Sequence, residues 1–155
     1  MSTSSRLPAT SARHAPENLA ILLREPFRAL SEELIERLAA HGHGEVRFAH
    51  GNVLQFLDDA GTRVSVLAER AQMTKQSMAQ LVAHLEQHGY VERVPDPADG
   101  RAKLVRATAR GRDVYAVVRG LIAELDTRLD ERMGAAKVAQ LRELLEELGR
   151  AIASR

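Results

Sequence analysis

The 155-residue chain contains no cysteine and no tryptophan, and only 3% of its residues are aromatic. The lack of cysteine excludes a disulfide framework, a thiol-based peroxide sensor and a zinc site with cysteine ligands. No apolar run approaches the length of a membrane-spanning helix, and the N-terminus lacks the apolar core of a signal peptide. We therefore expect a cytoplasmic protein with no membrane contact, built mainly from the helix formers Ala, Leu, Glu and Arg.

The net charge is also small, at +1, so the chain is not a general polycation. The charges are unevenly distributed, however. Residues 60–112 hold nine basic and five acidic residues, whereas the segments on either side are slightly acidic. Contact with nucleic-acid phosphates requires such a local excess of basic residues, and this indicates that the central segment is a candidate for DNA binding.

This central segment begins with two helical patterns separated by a short turn. Ser65 is a candidate N-cap for the first helix and Thr74 for the second. The second helix ends at Gly89, because glycine can adopt the left-handed conformation that closes a helix. Its apolar stripe has the spacing of a helix packed on one side and consists of Met78, Leu81, Val82 and Leu85.

The opposite face of the second helix is polar and contains no acid until Glu86 at its edge. Short polar donors and acceptors, with Lys75 in the first turn, suit a helix whose N-terminal end enters a major groove. A solvated surface helix rich in glutamine would explain this helix equally well on its own. The outward positions are Gln76, Gln80, Ala83 and Gln87, flanked by Ser77 and Ala79.

The next segment predicts a basic hairpin, with strands over 91–94 and 102–106 and loop-forming Pro95, Pro97 and Gly100 between them. A basic hairpin directly after a helix-turn-helix is a wing. We expect Arg101 at its tip, where a narrow minor groove attracts a guanidinium group. Asp99, two residues earlier, is placed to brace that guanidinium.

The run LVAHLEQHGYVERVPDPADGRAKLVRATARG resembles the signature region of the MarR family of bacterial transcriptional regulators. In that family the recognition helix ends Leu-Glu-x-x-Gly, and the wing reads Asp-x-x-Asp-x-Arg before Leu-Thr-x-x-Gly. The matching residues here are Asp96, Asp99, Arg101, Thr108 and Gly111, and Ala107 stands where leucine is usual. The resemblance covers about residues 19–153. It implies a mainly α fold with a small β-wing, in which a winged helix-turn-helix is joined to N- and C-terminal dimerisation helices.

The resemblance also implies a function: a ligand-responsive repressor that binds a pseudo-palindromic operator in double-stranded DNA as a homodimer. In similar proteins, small and often phenolic or anionic effectors bind between the dimer helices and the DNA reader. This places an effector pocket near His41, Arg47, His50 and Tyr115. The residues expected to contact DNA are Ser65, Thr74, Lys75, Gln76, Ser77, Gln80, His84, Arg93, Asp99, Arg101 and Lys103.

We expect residues 1–16 to form a flexible arm, because they are rich in Ser, Thr, Ala and Pro and show no apolar periodicity. Residues 17–155 then form one domain, with the DNA reader over 45–107 and dimerisation helices over 17–41 and 108–155. The first helix carries a stripe of Leu23, Phe27, Leu30, Leu34 and Leu38, and its main part is expected from Pro26 onward.

A second helix is predicted from Glu45 to about Asp58, with His50 on the same inward stripe as Val46, Val53 and Leu57. Residues 62–64 are expected to be extended and able to pair with the wing. Near the C-terminus, Thr108 is expected to cap a helix that runs to about Met133, where Gly134 breaks it.

The last helix carries a heptad seam of Val138, Leu141, Leu145, Leu148 and Ile152. These apolar faces exceed what a winged helix of this size needs to cover its core, so they favour a homodimer. An intramolecular helical hairpin is the alternative.

Other chemistry has weaker support. His41, His43 and His50 lie close together and suggest a metal-responsive regulator, but their spacing is not that of a helical pair and a fourth ligand is not obvious. No catalytic constellation or phosphate loop is present, so neither an enzyme nor a cofactor is predicted. A winged-helix adaptor that binds another protein remains open, although an adaptor needs neither the Arg101 wing nor an acid-free helix face.

Overall fold

The computed structural model describes residues 18–154, so the expected arm over 1–16 lies outside the described part of the chain. The fold is mainly helical, with a two-stranded antiparallel wing, as the sequence predicted. None of the helices within residues 18–154 is both long enough and apolar enough to cross a membrane. The elements are α1 (Leu19–Ala40), a 3-10 turn (Phe48–His50), α2 (Gly51–Leu54), α3 (Val64–Arg70), α4 (Lys75–Gln87), β1 (Val91–Asp96), β2 (Asp99–Ala107), α5 (Ala109–Met133) and α6 (Ala135–Ala153).

Helix α1 begins at Leu19 and passes through Pro26, so the expectation that the main helix starts at the proline is wrong. The side chain of Asn18 accepts a hydrogen bond from the Ile21 N–H at 3.0 Å, which supplies a cap eight residues before the expected start at Pro26. Pro26 lies on an exposed position of the helix, where the missing N–H costs one hydrogen bond without breaking the packing.

The long helix predicted over 45–58 is absent, and the segment forms only the 3-10 turn and the single turn of α2. The His50 side chain caps the start of the 3-10 turn, because its Nδ1 accepts a hydrogen bond from the Arg47 N–H at 2.9 Å. At the other end, the Phe56 carbonyl accepts a hydrogen bond from Arg70 Nη1 at 2.7 Å. Val46 and Val53 are buried as predicted, although they do not lie on one helix.

Helices α3 and α4 form the helix-turn-helix. The N-cap of α3 is Arg63 rather than Ser65, which lies exposed in the first turn. Thr74 caps α4 as predicted, because its Oγ1 accepts the Ser77 N–H at 3.1 Å. Gly89, with φ +75°, lies in the left-handed region directly after the helix, as expected.

The apolar stripe of α4 forms the centre of the core. Met78, Val82 and Leu85 are fully buried. Thr62 fixes the wing to this core, because its N–H and carbonyl both pair with Val105 of β2, at 2.8 and 2.9 Å. The remaining fully or almost fully buried members of the cluster are Leu38, Val46, Val53, Leu54, Leu67, Ala68, Tyr90, Val91, Val105 and Val114.

Helix α5 starts and ends where the sequence predicted. The Thr108 side chain accepts the Gly111 N–H at 3.2 Å, and Gly134, with φ +91°, follows the last residue. Gly111 is required by a close approach of two backbones, because a Cβ there would lie 2.1 Å from the Tyr90 carbonyl oxygen. Ion pairs join the helices around α5: Arg128 binds both oxygens of Glu33 on α1 at 2.7 Å, and Arg142 on α6 binds Asp126 at 2.7 Å.

Candidate nucleic-acid interface

The outward face of α4 is exposed over its whole length, at Gln76, Gln80, Ala83 and Gln87. Lys75, in the first turn, is exposed as well. Thr74 and Ser77 are engaged with one another, because the Thr74 hydroxyl donates to Ser77 Oγ at 2.9 Å. These two residues therefore hold the start of the helix, while the lysine and the glutamines present free polar groups to the outside.

His84, expected at the same interface, lies on the inner flank of α4. Its ring is half-buried, its Nε2 lies 2.8 Å from the Glu45 carbonyl oxygen, and it stacks on the His50 ring with centroids 4.4 Å apart. A ring held on both sides in this way has no access to the outward face. We therefore remove His84 from the interface and assign it to the attachment of α4 to the segment around α2.

The wing differs from the prediction at its tip. Both strands are longer than expected, and the turn consists of Pro97 and Ala98. The register pairs Asp96 with Asp99 and Pro95 with Lys103, so residues 100–102 bulge out of the hairpin. Arg101 lies in this bulge, exposed, rather than at the tip itself.

Asp99 contacts Arg101 through the backbone. Its Oδ1 accepts the Arg101 N–H at 3.1 Å, and its other oxygen lies 3.9 Å from Arg63 Nη2. The expected brace between the Asp99 carboxylate and the Arg101 guanidinium is therefore wrong. The acid orders the bulge that carries the arginine and leaves the guanidinium to the solvent.

Asp96 forms a contact with Arg63 that no pattern in the sequence indicates. Asp96 is only 7% exposed; its Oδ1 accepts the Ala98 N–H at 2.9 Å, and its Oδ2 accepts from Arg63 Nε at 2.7 Å and Nη2 at 2.5 Å. The Ala98 N–H, followed by the Arg63 guanidinium, lowers the pKa of the Asp96 carboxyl. An Asp-Pro pair at a turn is a local signal for the first contact. The partner 33 residues earlier has no such signal.

Ion pairs occupy most of the basic side chains in this region. Arg93, expected to contact DNA, has its Nε 3.0 Å from Glu86 of α4. Lys75, Arg101 and Lys103 are exposed, and none of them is paired with a carboxylate within residues 18–154. Three of the four basic side chains of residues 60–112 that lack such a pair thus lie at the start of α4 and on the wing. The fourth is Arg112 at the start of α5, which donates to the Ala107 carbonyl at 3.0 Å. The paired arginines are Arg63, Arg70, Arg93, Arg106 and Arg110.

The three histidines of the metal hypothesis point to different partners. The Nδ1 of His41 lies 2.7 Å from the Arg37 carbonyl, His43 Nε2 lies 2.9 Å from Asp113 Oδ2, and His50 caps the 3-10 turn and stacks on His84. Within residues 18–154, no group of three or more histidines and carboxylates is placed to hold a metal ion. The metal-responsive alternative therefore has no site in the described part of the chain.

A cavity of about 300 Å³ lies between α1, α5 and the segment around α2. Of the four residues expected to line an effector pocket, Arg47 and Tyr115 line this cavity, whereas His41 and His50 do not. The Tyr115 hydroxyl donates to the Leu54 carbonyl, and burial raises the pKa of this tyrosine. The walls are otherwise mainly apolar: Leu34, Ile35, Leu38, Val46, Phe48, Leu54, Val114 and Val118.

The buried His50 ring makes the stability of the fold dependent on pH. Burial, with smaller contributions from His84, Arg47 and His88, lowers the pKa of His50 from 6.5 to about 4. Between these two pH values the unfolded chain binds the proton and the folded chain does not, so the free energy of unfolding decreases as the pH falls. The contribution of this ring is on the order of 3 kcal/mol over that window.

The variant His50→Asn keeps an acceptor for the Arg47 N–H but cannot take up a proton. We expect urea unfolding between pH 6.5 and 4 to show a shallower loss of stability for this variant than for the wild type. His41→Asn, at an exposed histidine, is the matched control. Parallel profiles for the His50 variant and the wild type would contradict the assignment.

Comparison with known proteins places this geometry among transcriptional regulators. A sequence model described as the MarR family matches residues 46–102, which includes α3, α4 and most of the wing. The HTH-type transcriptional repressor Rv2887 of Mycobacterium tuberculosis is 30% identical over 89 residues, which are 57% of this chain and 64% of that protein. The matched segments cover between 44% and 64% of the curated relatives' own lengths.

Solved structures match over a longer part of the chain. The transcriptional regulator PA4135 is 30% identical, with a TM-score of 0.61, and the match covers 86% of this chain and 96% of that one. CouR from Rhodococcus jostii RHA1, solved bound to p-coumaroyl-CoA, is 24% identical with a TM-score of 0.64, and the match covers 85% and 92% of the two chains. The helices on both sides of the winged helix therefore belong to the shared fold.

Proposed function

Because this chain belongs to the MarR family of transcriptional regulators, we propose that it binds a specific sequence in double-stranded DNA as a homodimer and represses transcription until a small effector binds. The position of the uncompensated positive charge carries this proposal. Lys75, Arg101 and Lys103 are exposed on the two elements that a winged helix presents to DNA. A protein that acts on DNA in this way would work in the cytoplasm.

In the proposed complex, α4 enters the major groove with its N-terminal turn leading. The exposed amides of Gln76 and Gln80 would then face base edges, and Lys75 would face the phosphates. The bulge of the wing would carry Arg101 into the neighbouring minor groove, where the negative potential is strongest when the groove is narrow. We propose residues 45–107 as the reader on these grounds.

The exposed apolar residues support the dimer. Ten of the eleven large hydrophobic side chains that are exposed within residues 18–154 lie on α1, α5 and α6. Exposed apolar surface of this extent on three helices marks a surface that another protein covers. A second copy fits because α6 carries a heptad seam, and a two-fold axis brings two such seams together. We propose that residues 17–41 and 108–155 form this interface.

The cavity beside α1 and α5 is the proposed effector site. Its mainly apolar walls, with Arg47 and the Tyr115 hydroxyl among the few polar groups, suit an aromatic molecule that bears an anionic group. A neighbour of the same fold, CouR, was solved with p-coumaroyl-CoA bound. A thermal-shift screen of aromatic carboxylates and their thioesters tests this site: a ligand should raise the melting temperature and release DNA.

In vitro selection from a library of random duplexes tests the function as a whole. At physiological salt we expect enrichment of a pseudo-palindrome bound at least about a thousandfold more tightly than random DNA, the lower end of the usual range. A protein–protein adaptor would enrich no sequence. Equal affinity for selected and random DNA would overturn the proposal.

The glutamines of α4 should determine part of the sequence preference. Gln76→Ala and Gln80→Ala each remove an amide that can pair with adenine, so we expect each to reduce discrimination between the selected and the mismatched operator by about fivefold. Affinity for random DNA should change little, because phosphate contacts dominate there. Gln140→Ala on α6 serves as the control. Equal losses on specific and random DNA would show that these glutamines do not read bases.

A further inference from the structure

We infer that Arg63 is a positioning residue for the wing, which it ties to the start of the helix-turn-helix through the buried carboxylate of Asp96. This inference rests on the proposed function for its consequence in DNA binding, but the contact itself belongs to the free protein. Arg63 is not proposed to touch DNA.

The position of Arg63 in the chain gives it this role. Its backbone caps α3, and its carbonyl accepts the Leu67 N–H at 3.0 Å, so the residue is fixed in the helix-turn-helix. Its side chain, in contrast, extends to the wing, where Nε and Nη2 both bind Asp96 Oδ2. One residue thus belongs to both parts of the reader.

Asp96 is the matching element on the wing. It is the last residue of β1, and its two oxygens accept hydrogen bonds from different donors. Oδ1 accepts from the Ala98 N–H in the turn, and Oδ2 accepts from the Arg63 guanidinium. The same carboxylate therefore shapes the turn and docks it onto the protein. The second acid of the turn, Asp99, lies close enough to Arg63 to add attraction, at 3.9 Å, and orders the Arg101 backbone.

The hairpin needs this attachment near its turn because its other attachments, the Thr62–Val105 bridge and the Arg93–Glu86 ion pair, lie further from the turn. Thr62 pairs with Val105, whose partner in the wing is Arg93, three residues before Asp96. At the rise of an extended chain, this leaves an arm of roughly 10 Å beyond the bridge. A two-stranded ribbon held at one end is free to pivot and is only marginally stable by itself. The neighbouring residues Thr62 and Arg63 hold the wing at both places.

Fixing the arm before DNA arrives lowers the entropic cost of binding, because Arg101 is already in place. Electrostatics alone would predict the opposite sign for the acid. A carboxylate at the DNA surface repels phosphate, so its removal should strengthen binding if Asp96 had no positioning role. The sign of the change therefore separates the two explanations.

The experiment compares Asp96→Asn with Glu92→Gln, an equal change of charge on the same hairpin at the exposed pair with Arg106. Affinity for the selected operator is measured by fluorescence anisotropy over a range of salt concentrations. Amide hydrogen exchange of the wing is measured in the free protein. Arg63→Lys, which retains the charge but cannot supply the forked pair of donors, is the second test variant.

We expect Asp96→Asn to weaken operator binding by about fivefold, although it removes a negative charge, and Arg63→Lys to weaken it by a similar factor. Amides around Ala98 and Arg101 should exchange faster in both variants, while amides of α4 remain as in the wild type. Glu92→Gln should bind as the wild type does, or slightly more tightly. In combination with Arg101→Ala, the Asp96 substitution should add little, because there is no longer an arginine to position.

Unchanged or tighter operator binding by Asp96→Asn, with unchanged exchange in the wing, would overturn the inference. Faster exchange confined to the wing in a protein whose wild type binds no DNA would support the attachment and refute the proposed function. The experiment therefore distinguishes failure of the wing attachment from failure of the proposed DNA-binding function. A variant with a large loss of melting temperature would show that Asp96 holds the whole fold rather than the wing, which also overturns the inference.

Discussion

Replacing Leu145 with aspartate is expected to convert the protein to monomers and to abolish operator binding. Leu145 lies in the seam of α6, where Leu141 is 44% exposed, Leu145 43% and Ile152 60% within the single chain. If a second copy covers this seam, an aspartate would be buried without a partner. We expect the dissociation constant of the dimer to rise by more than about a hundredfold, corresponding to about 3 kcal/mol or more.

Gln140→Asp is the matched control for this prediction. It introduces the same charge in the same helix, at an exposed position outside the seam, and should leave the dimer intact. Sedimentation velocity at micromolar concentration measures both. A stable wild-type monomer, or a Leu145→Asp variant with the wild-type dissociation constant, would show that the apolar face of α6 does not form the dimer interface.

Arg101→Ala is expected to weaken operator binding at least about tenfold, because a guanidinium in a narrow minor groove gains from the negative potential and releases counterions. The dependence of affinity on salt should become shallower. The melting temperature should stay unchanged, since the side chain is exposed and outside the core.

Arg106→Ala provides the comparison on the same strand. Its guanidinium is already paired with Glu92 at 2.7 Å, and such an exposed pair contributes roughly 0–1 kcal/mol. Its loss should therefore change operator affinity little. Equal losses for both substitutions, on random DNA as well as on the operator, would show that the wing acts as a general basic surface. Arg101 would then have no specific role in minor-groove binding.

The features that the sequence predicted correctly depend on neighbours within a few residues. Thr74 and Thr108 cap helices through the N–H groups three positions later, and Gly89 and Gly134 supply the positive φ that ends them. The buried stripe of α4 follows from helical periodicity alone. The same local rules outlined the hairpin, although both strands extend further than expected.

Two of the errors arose where a distant group decides the structure. The stripe around His50 predicted one helix, but the ring of that histidine caps the segment and packs on His84, which is 34 positions away in the chain. His84 was expected to contact DNA because it lies on the recognition helix α4. Its ring instead contacts the Glu45 carbonyl on the inner flank of that helix. No pattern in the sequence reveals either contact.

The wing shows the same limit at the level of the site. Its residue types predicted where the charge would lie, and Arg101 and Lys103 are indeed exposed. The geometry that presents them depends on Arg63, which precedes the hairpin by almost thirty residues and was not assigned to the wing. A bulge and a buried carboxylate, rather than an acid–arginine pair, set the position of Arg101.

Hydroxyl-radical footprinting of the wild-type protein on its selected operator tests the central claim most directly. Two recognition helices related by a two-fold axis should protect two symmetric half-sites whose centres lie about one helical turn apart, roughly 10 base pairs. The wings should add protection in the flanking minor grooves, which Arg101→Ala removes. A single asymmetric footprint, or symmetric half-sites whose flanks are unaffected by that substitution, would contradict the account.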